Sequence, residues 1–166
     1  NVATYLVKDL FIDPKTGIVN RTKAFAYNMV DYILQDCHAA HSLLKIAVHE
    51  HYTYTHSVNV AAVGTLFGKN IGLNDDELKN LCSGILMHDV GKTRISTEIL
   101  NKNGKLTKEE FEKIKKHPEL GVEVLKEAGC TMEHEYIITL QHHENYDGSG
   151  YPYGLRKYEI HLCGKI

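Results

Sequence analysis

Residues 81–94 read LCSGILMHDVGKTR, an apolar run followed by a short polar motif. The apolar part, residues 81–87, is typical of a buried helix. His88 and Asp89 come at its end, and on a helix their side chains diverge by about 100°. One metal ion could bind both side chains, or the two carboxylate oxygens of Asp89 could bridge two ions. A surface hydrogen bond between the two residues is the simpler alternative.

Gly91 and Lys92 follow this pair. Glycine is favoured just past helix ends, so we expect Gly91 to end the helix and to leave Lys92 on a loop beside His88 and Asp89. A lysine ammonium is badly placed there for a metal and well placed for an anionic substrate. The motif therefore combines two candidate metal ligands with one candidate anion-binding residue.

The histidine content favours metal binding over a surface hydrogen bond. Eleven histidines occur in 166 residues. Imidazole together with carboxylate suits Fe, Mn, Zn or Ni better than Mg or Ca. Five histidines besides His88 lie in settings that suit ligation: His56, His117, His142, His143 and His161. Four others are expected to be exposed or hydrogen-bonded without a metal: His38, His41, His49 and His51.

Composition excludes several classes of protein. Hydrophobic residues make up 43% of the chain and charged residues 24%, as in soluble single-domain proteins. The net charge of −2 leaves no dense basic face for duplex nucleic acid. No apolar run approaches the roughly 20 residues of a membrane span. The cysteines form no CxxC pair, and Cys82 has the setting of a buried thiol. We therefore expect the protein to reside in a reducing cytoplasm.

The N-terminal part of the chain differs in pattern from the rest. Residues 1–20 alternate apolar and polar side chains around the turn-forming residues 13–17, which predicts a short β hairpin. We interpret residues 1–20 as the remnant of a preceding domain or as a linker, and residues 21–166 as the main domain. Apolar residues recur at broadly helical spacing over residues 22–48, which predicts one or two packing helices.

An antiparallel helix pair should bring two of the histidines together. A helix is predicted over residues 54–71, with His56 in its first turn. Asn74 and Glu77 then form a capping box that opens the next helix, which delivers His88. Because the chain reverses between the two helices, His56 and His88 should lie at the same end of the pair and could share an ion.

Further helices are predicted in the second half of the chain. Thr107 and Glu110 form a second capping box. His117 precedes Pro118 at a helix junction, so we expect an extended backbone there that points the histidine away from the helix. Helical spacing resumes later and ends in the pair His142 and His143.

Residues 144–155 read ENYDGSGYPYGL and contain three glycines. So much glycine in a short stretch predicts a tight loop whose backbone approaches another group closely. Beyond the N-terminal hairpin we find no strong strand signal. The sequence therefore predicts an all-α helical bundle.

Three stretches occur in a defined order: residues 56–61 (HSVNVA), residues 88–94 (HDVGKTR) and residues 142–152, which include Gly150-Tyr151-Pro152. In this order they resemble the HD-GYP family, bacterial phosphodiesterases of the HD superfamily that act on cyclic dinucleotides, above all cyclic di-GMP. The similarity extends over roughly residues 50–166. It implies an HD-type helical bundle with a binuclear metal site.

The resemblance implies roles for individual residues. One ion would be held by His56, His88 and Asp89, and Asp89 would bridge to a second ion held by His117, His142 and His143. Lys92 matches the family lysine that contacts the substrate phosphate. The signature loop, for which substrate-side and partner-docking roles are proposed in the family, is matched by Asp147, Gly148, Gly150, Tyr151 and Pro152.

Two departures from the family bear on the metal site. Some members carry a glutamate one helical turn before the first histidine ligand and bind three metals, but Tyr52 stands there, so we expect two ions. The last ligand of the family, an aspartate after the signature loop, would lie beyond Ile166. We expect Fe or Mn, with Zn or Ni as substitutes in purified protein.

The implied chemistry is hydrolysis of a phosphodiester. Two ions about 3.5 to 4 Å apart would activate a water and clamp the phosphate oxygens. Asp89 would set their spacing, and Lys92 would stabilise charge in the transition state. Other side chains have two interpretations each. Asp147 and Glu144 either orient imidazoles or lie in solvent, and Arg156 and Lys157 contact either a second phosphate or solvent. The three tyrosines of the loop either stack on guanine or pack the loop on itself: Tyr146, Tyr151 and Tyr153.

Several substrates and partners are compatible with the resemblance. The leading candidate substrate is cyclic di-GMP, hydrolysed to linear pGpG, to GMP or to both in bacterial second-messenger signalling. Cyclic GMP-AMP and the linear dinucleotide are the other candidate substrates. A catalytically silent domain that signals through nucleotide or protein binding is the alternative from another class. Another HD-type phosphohydrolase fits the loop and the paired histidines less well. Expected partners are a sensor or receiver domain in cis, diguanylate cyclase domains in trans and a second copy in a homodimer.

Overall fold

The computed structural model describes residues 2–35, 52–131 and 133–166. In these ranges the regular structure is helical and includes no β strand, so the predicted all-α class is confirmed. No helix in them is both long and apolar enough to cross a membrane. The α helices are α1 (Val2–Ile12), α2 (Thr16–Gln35), α3 (Tyr52–Asn70), α4 (Asp75–Met87), α5 (Thr97–Leu100), α6 (Lys108–Ile114), α7 (His117–Glu127), α8 (Glu133–Gln141) and α9 (Leu162–Lys165). Two 3₁₀ helices span Val90–Arg94 and Lys157–Glu159.

The predicted N-terminal hairpin is wrong, because α1 and the start of α2 occupy that region. Leu6, Val7 and Leu10 are buried, and this spacing of three and four residues places them on one face of a helix. The turn itself is present: the Lys15 N–H donates to the Asp13 carbonyl and connects two helices instead of two strands. The division into two domains near residue 20 stays a prediction.

Helix α2 accounts for the first part of the helical segment predicted over residues 22–48. Its buried face consists of Val19, Thr22, Ala26, Met29, Val30 and Ile33. The remainder of that segment, together with Cys37, His38, His41, His49 and His51, lies outside the described residues.

Helices α3 and α4 form the predicted antiparallel pair. Gly72 lies between them with a φ of 88°, a conformation that glycine adopts without strain. The capping box is confirmed: the Glu77 N–H donates to the Asn74 side chain, and the Asn74 N–H donates to the Glu77 carboxylate. The pair brings His56 and His88 to the same end, with 5.7 Å between their ring centroids.

Gly91 does not end α4, contrary to the prediction. The helix ends at Met87, and Gly91 and Lys92 lie within the following 3₁₀ helix instead of a loop. A Cβ atom on Gly91 would overlap the His117 carbonyl oxygen and the Gly121 backbone nitrogen. Glycine is therefore needed here because α7 packs directly against this turn.

Buried residues surround the polar motif on both sides. Met87 and Val90, which flank His88 and Asp89, have no exposed surface and pack with α7 residues such as Leu125. Earlier in α4, Cys82 is fully buried as predicted, and burial raises the pKa of its thiol to about 12. The backbone of the motif is thus fixed by the hydrophobic core.

The second capping box, Thr107 with Glu110, is also confirmed. The expected extended conformation of His117 is wrong, because His117 is the first residue of α7. Pro118 follows in the first turn, where a missing N–H costs no helical hydrogen bond. The preference of residues before proline for extended backbone is overridden by this position at the helix start.

Candidate metal centre

Six polar side chains converge where several helices begin or end. His56 comes from the first turns of α3, and His88 and Asp89 follow α4. His117 begins α7, and the two remaining histidines follow α8. These side chains form two groups, each with potential ligand atoms within 4.8 Å of one another: His56, His88 and Asp89, and Asp89, His117, His142 and His143. The structure therefore brings together the six residues to which the resemblance assigned metal binding, but not His161, which the sequence analysis had also considered as a ligand.

Asp89 belongs to both groups and lies between them, almost fully buried. Its Oδ1 is 3.3 Å from His117 Nε2 and 3.6 Å from His142 Nε2. Its Oδ2 is 3.3 Å from His88 Nε2 and 2.6 Å from Lys92 Nζ. The two oxygens face different imidazoles, which is the arrangement that a bridging carboxylate requires.

Three of the imidazoles have their orientation fixed by the backbone. In each, Nδ1 lies within hydrogen-bond distance of the carbonyl oxygen three residues earlier. A carbonyl only accepts, so Nδ1 carries the proton and Nε2 of the neutral ring has a free lone pair. The Nδ1 to oxygen distances are 2.5 Å for His88 and Ile85, 2.8 Å for His117 and Ile114, and 2.9 Å for His142 and Thr139.

The resulting donor set fits a metal ion. Nε2 of His117 and Nε2 of His142 lie 3.0 Å apart. Two unprotonated nitrogens at this distance repel each other unless a cation lies beside both. Asp89 Oδ1, which faces the same two rings, is buried and has no hydrogen-bond partner among the described residues. Imidazole nitrogens with one carboxylate are ligands typical of Fe, Mn, Zn or Ni.

The protonation states also suit metal binding. Burial lowers the pKa of His142 to about 4, and burial with the neighbouring His142 lowers that of His143 to about 3. Both rings are therefore neutral at pH 7. Lys92 Nζ lies 2.6 Å from Asp89 Oδ2, and an opposite charge at this distance favours the ionised form of the carboxyl group. The carboxylate is ionised.

The Gly150-Tyr151-Pro152 loop packs against this cluster. The Tyr151 ring stacks on His143 with 4.5 Å between centroids and 21° between planes, and its N–H donates to the His143 carbonyl. Gly150 allows this approach, since a Cβ there would overlap the backbone of residues 143–145. Burial, and then the charge of Asp89, raise the pKa of Tyr151 to about 12, so the phenol stays protonated.

The two carboxylates with open roles bind the loop and not the imidazoles. Glu144 is buried and accepts hydrogen bonds from the Tyr153 N–H at 2.7 Å and the Leu155 N–H at 2.9 Å. Asp147 is exposed and accepts from the Ser149 N–H at 2.9 Å. Glu144 therefore closes the glycine-rich loop beneath the cluster.

A cavity of about 550 Å³ opens beside the cluster. Lys92, Tyr146 and several cluster residues line it, together with residues that the sequence analysis missed, such as Cys163 and Lys165. Five residues predicted to bind substrate do not line it: Asp147, Gly150, Tyr151, Pro152 and Arg156. No local motif marks the missed residues, because they reach the cavity through the packing of α9 against α8.

Two other candidates lie away from the cluster. The Arg156 side chain packs over Gly148, where a Cβ would overlap it. His161 accepts a hydrogen bond from the Cys163 N–H at the start of α9 and belongs to neither group of potential ligands.

A family model described as HD domain matches residues 41–166 of the chain. The chain belongs to the HD domain family. This HD domain is 34% identical over 164 residues to a cyclic di-GMP phosphodiesterase of Pseudomonas aeruginosa, covering 96% of the chain and 39% of the relative. It is 40% identical over 96 residues to a 3'3'-cGAMP-specific phosphodiesterase of Vibrio cholerae, covering 57% of the chain and 18% of the relative.

A solved structure shares the fold of this HD domain. It is Bd1817, a HDG"Y"P protein from Bdellovibrio bacteriovorus, with a TM-score of 0.82 and 21% sequence identity. The match covers 98% of this chain and 54% of that one. Together with the cyclic di-GMP phosphodiesterase relatives, it confirms the HD-GYP resemblance. The HD domain spans less than half of the length of the two curated relatives.

Proposed function

We propose that this HD domain is a metal-dependent phosphodiesterase that hydrolyses cyclic di-GMP to linear pGpG or GMP. The observation that carries the proposal is the position of Asp89, whose two oxygens face separate sets of imidazoles beside an open cavity. The relatives named as phosphodiesterases of cyclic dinucleotides support the same activity.

The proposed cofactor is a pair of divalent ions. His56, His88 and Asp89 would hold one, and Asp89, His117, His142 and His143 the other. Fe or Mn suits this donor set, and Zn or Ni could replace them in purified protein. When bound, such a pair supplies an acidified water and neutralises charge on the phosphate.

The side chains of this domain have separate roles in the proposed reaction. Asp89 is ionised and holds the two halves of the site at a fixed spacing. Lys92, whose Nζ is 2.6 Å from Asp89 Oδ2, lines the cavity and would donate to a non-bridging phosphate oxygen. Tyr151 covers His143 and restricts the access of water to that ring. Gly150, Tyr151 and Pro152 thus support the site without lining the cavity, whereas Glu144 and Tyr146 of the same loop do line it.

Cyclic GMP-AMP is a second candidate substrate. The 40% identity to a relative specific for 3'3'-cGAMP favours it. A cavity of about 550 Å³ lined by Val60, Ile85 and Ile138 presents apolar walls that accept either purine. Both dinucleotides therefore belong in the first assay.

The test is anaerobic turnover of both cyclic dinucleotides by protein reconstituted with Fe(II) or Mn(II). We expect Asp89→Asn to lose bound metal and all turnover. Lys92→Ala should retain metal and lose about 100-fold in kcat. Asp76→Asn, an exposed aspartate in the first turn of α4, is the matched control and should behave like wild type. Wild-type protein with two bound metals and no turnover of either dinucleotide would contradict the proposal.

We further propose the cellular setting implied by the resemblance. The domain would act in the cytoplasm, with a sensor or receiver domain in cis and diguanylate cyclase domains in trans. A homodimer is compatible with such an arrangement. Light scattering on the full-length protein, with and without a diguanylate cyclase domain, tests both associations.

A further inference from the structure

The substrate class proposed above carries two negative charges. A cyclic dinucleotide contains two phosphodiester groups, and the one that reacts would lie at the centre around Asp89 and Lys92. The second phosphate must enter the same cavity, where a buried anion without a counter-charge is unfavourable. We propose that Lys165 binds this second, non-reacting phosphate. The inference rests on the proposed function.

Lys165 is the other lysine that lines the cavity. Lys92 is already paired with Asp89, whereas no ion pair involves Lys165 in the part of the chain that the structure describes. Its Nζ lies 5.9 Å from the centroid of the Tyr158 ring, and that tyrosine is 90% exposed. Lys165 is therefore free to bind an anion that enters the cavity.

The backbone that carries Lys165 is fixed relative to the candidate metal centre. The His161 N–H, just before α9, donates to the Gln141 side chain at 2.7 Å. Gly164 lies so close to Gln141 that a Cβ would overlap it, and Ile160 is buried. Gln141 is the last residue of α8, directly before His142. One anchor residue thus sets the positions of both Lys165 and the histidine pair.

Other charged residues are less suited to this role. The Arg156 side chain packs over Gly148 and does not line the cavity. Glu144 does line it, but its carboxylate accepts from two backbone N–H groups of the loop and has no donor to offer a phosphate. Among the described residues that line the cavity, Lys165 is consequently the cation available to a second phosphate.

The test compares a substrate with two phosphates and one with a single phosphate. Lys165→Met removes the charge and keeps most of the aliphatic stem, and Lys165→Arg restores the charge. Each variant is assayed on cyclic di-GMP and on bis(4-nitrophenyl) phosphate. For Lys165→Met we expect KM for cyclic di-GMP to rise about tenfold with kcat changed by less than about twofold. KM for the single-phosphate ester should stay unchanged, and Lys165→Arg should restore KM for cyclic di-GMP.

Lys126→Met is the matched control. Lys126 is an exposed lysine on α7 whose Nζ lies 5.7 Å from the Tyr136 ring, much as Lys165 lies near Tyr158. It does not line the cavity, so both KM values should equal those of wild type. KM for cyclic di-GMP should also depend less on ionic strength in Lys165→Met than in wild type or the control.

Three outcomes would overturn the inference. If wild type is active and Lys165→Met has an unchanged KM for cyclic di-GMP, the contact between Lys165 and the second phosphate is rejected while the proposed function stands. An equal loss on both substrates would mean that the substitution disturbs the whole site and not a second phosphate. Wild-type turnover of bis(4-nitrophenyl) phosphate but of neither cyclic dinucleotide would reject the proposed function, and this inference with it.

Discussion

The Ser83 hydroxyl donates a hydrogen bond of 3.0 Å to Oε1 of Glu135, a carboxylate with no exposed surface. This bond joins α4 to α8, the helices that lead to His88 and His142. Lys23 of α2 lies 3.5 Å from the same oxygen and adds a third helix to the contact. A buried polar connection therefore sets the relative position of the two helices before they reach the candidate metal centre.

Replacing Glu135 by Gln should destabilise the domain. The amide keeps the shape of the side chain but removes the negative charge beside Lys23. It also places an NH₂ donor at the position of Oε2, which is buried and has no hydrogen-bond partner among the described residues. We expect a loss of about 1 to 3 kcal/mol in the free energy of unfolding, measured by urea denaturation of the metal-free protein. Glu133→Gln, on an exposed position of the same helix, is the isosteric control. Equal stability of the two variants would show that the buried charge is not needed.

Gly91→Ala should disturb the group of ligands that contains His117 more than the group that contains His56. The added methyl group would overlap the backbone of His117 and Gly121, so α7 must shift and take His117 with it. We expect a loss of about 1 to 3 kcal/mol in stability and weaker binding of one of two metal ions in a Mn(II) titration. Gly17→Ala in α2 has open space around its Cβ and should be neutral or slightly stabilising. Two intact metal sites in Gly91→Ala would rule out this coupling.

Acid should destabilise the metal-free protein at moderate pH. The unfolded His142 ring titrates near 6.5, whereas burial lowers its folded pKa to about 4. Protonation therefore favours the unfolded chain, and stability should fall as the pH drops from about 6.5 towards about 4. His142→Asn should reduce this dependence in thermal unfolding scans, while His161→Asn, an exposed histidine outside the cluster, should retain it. A profile that is the same for all three proteins would argue against a buried neutral ring.

The stacking of Tyr151 on His143 should support metal affinity. Tyr151→Phe keeps the ring and should bind metal like wild type. Tyr151→Ala removes the ring that holds His143 in place, and we expect a loss of about tenfold in the affinity of one ion. Calorimetric titration with Mn(II) measures both variants. If Tyr151→Phe were as weak as Tyr151→Ala, the hydroxyl group and not the stacking would be responsible.

Local sequence signals predicted most of the helices. The capping boxes at Asn74 and Thr107 fixed two helix starts because their bonds join residues only three apart. The hairpin prediction failed because a turn signal shows that the chain reverses but not which structure flanks it. This region is helical because Leu6, Val7 and Leu10 are buried on one face. Their burial depends on packing partners that lie far along the chain.

The clustering of the six residues was predictable because the ordered motifs that carry them resemble those of the HD-GYP family. Gly91 was correctly marked as special, but for the wrong reason, since its neighbour across the fold is His117. Glu135 and Lys165 were missed. Their contacts join segments that are distant in sequence, and no spacing pattern records such contacts.

The hydrogen bonds from Nδ1 of His88, His117 and His142 have a consequence for mutational robustness. Their acceptors are main-chain carbonyls, so no replacement of a neighbouring side chain can delete them. Helix geometry, and not a separate set of polar side chains around the ligands, determines the tautomer of each ring. Replacement of a neighbouring side chain therefore leaves these three hydrogen bonds in place, whereas fraying of a single helix end would abolish the lone pair that faces the centre.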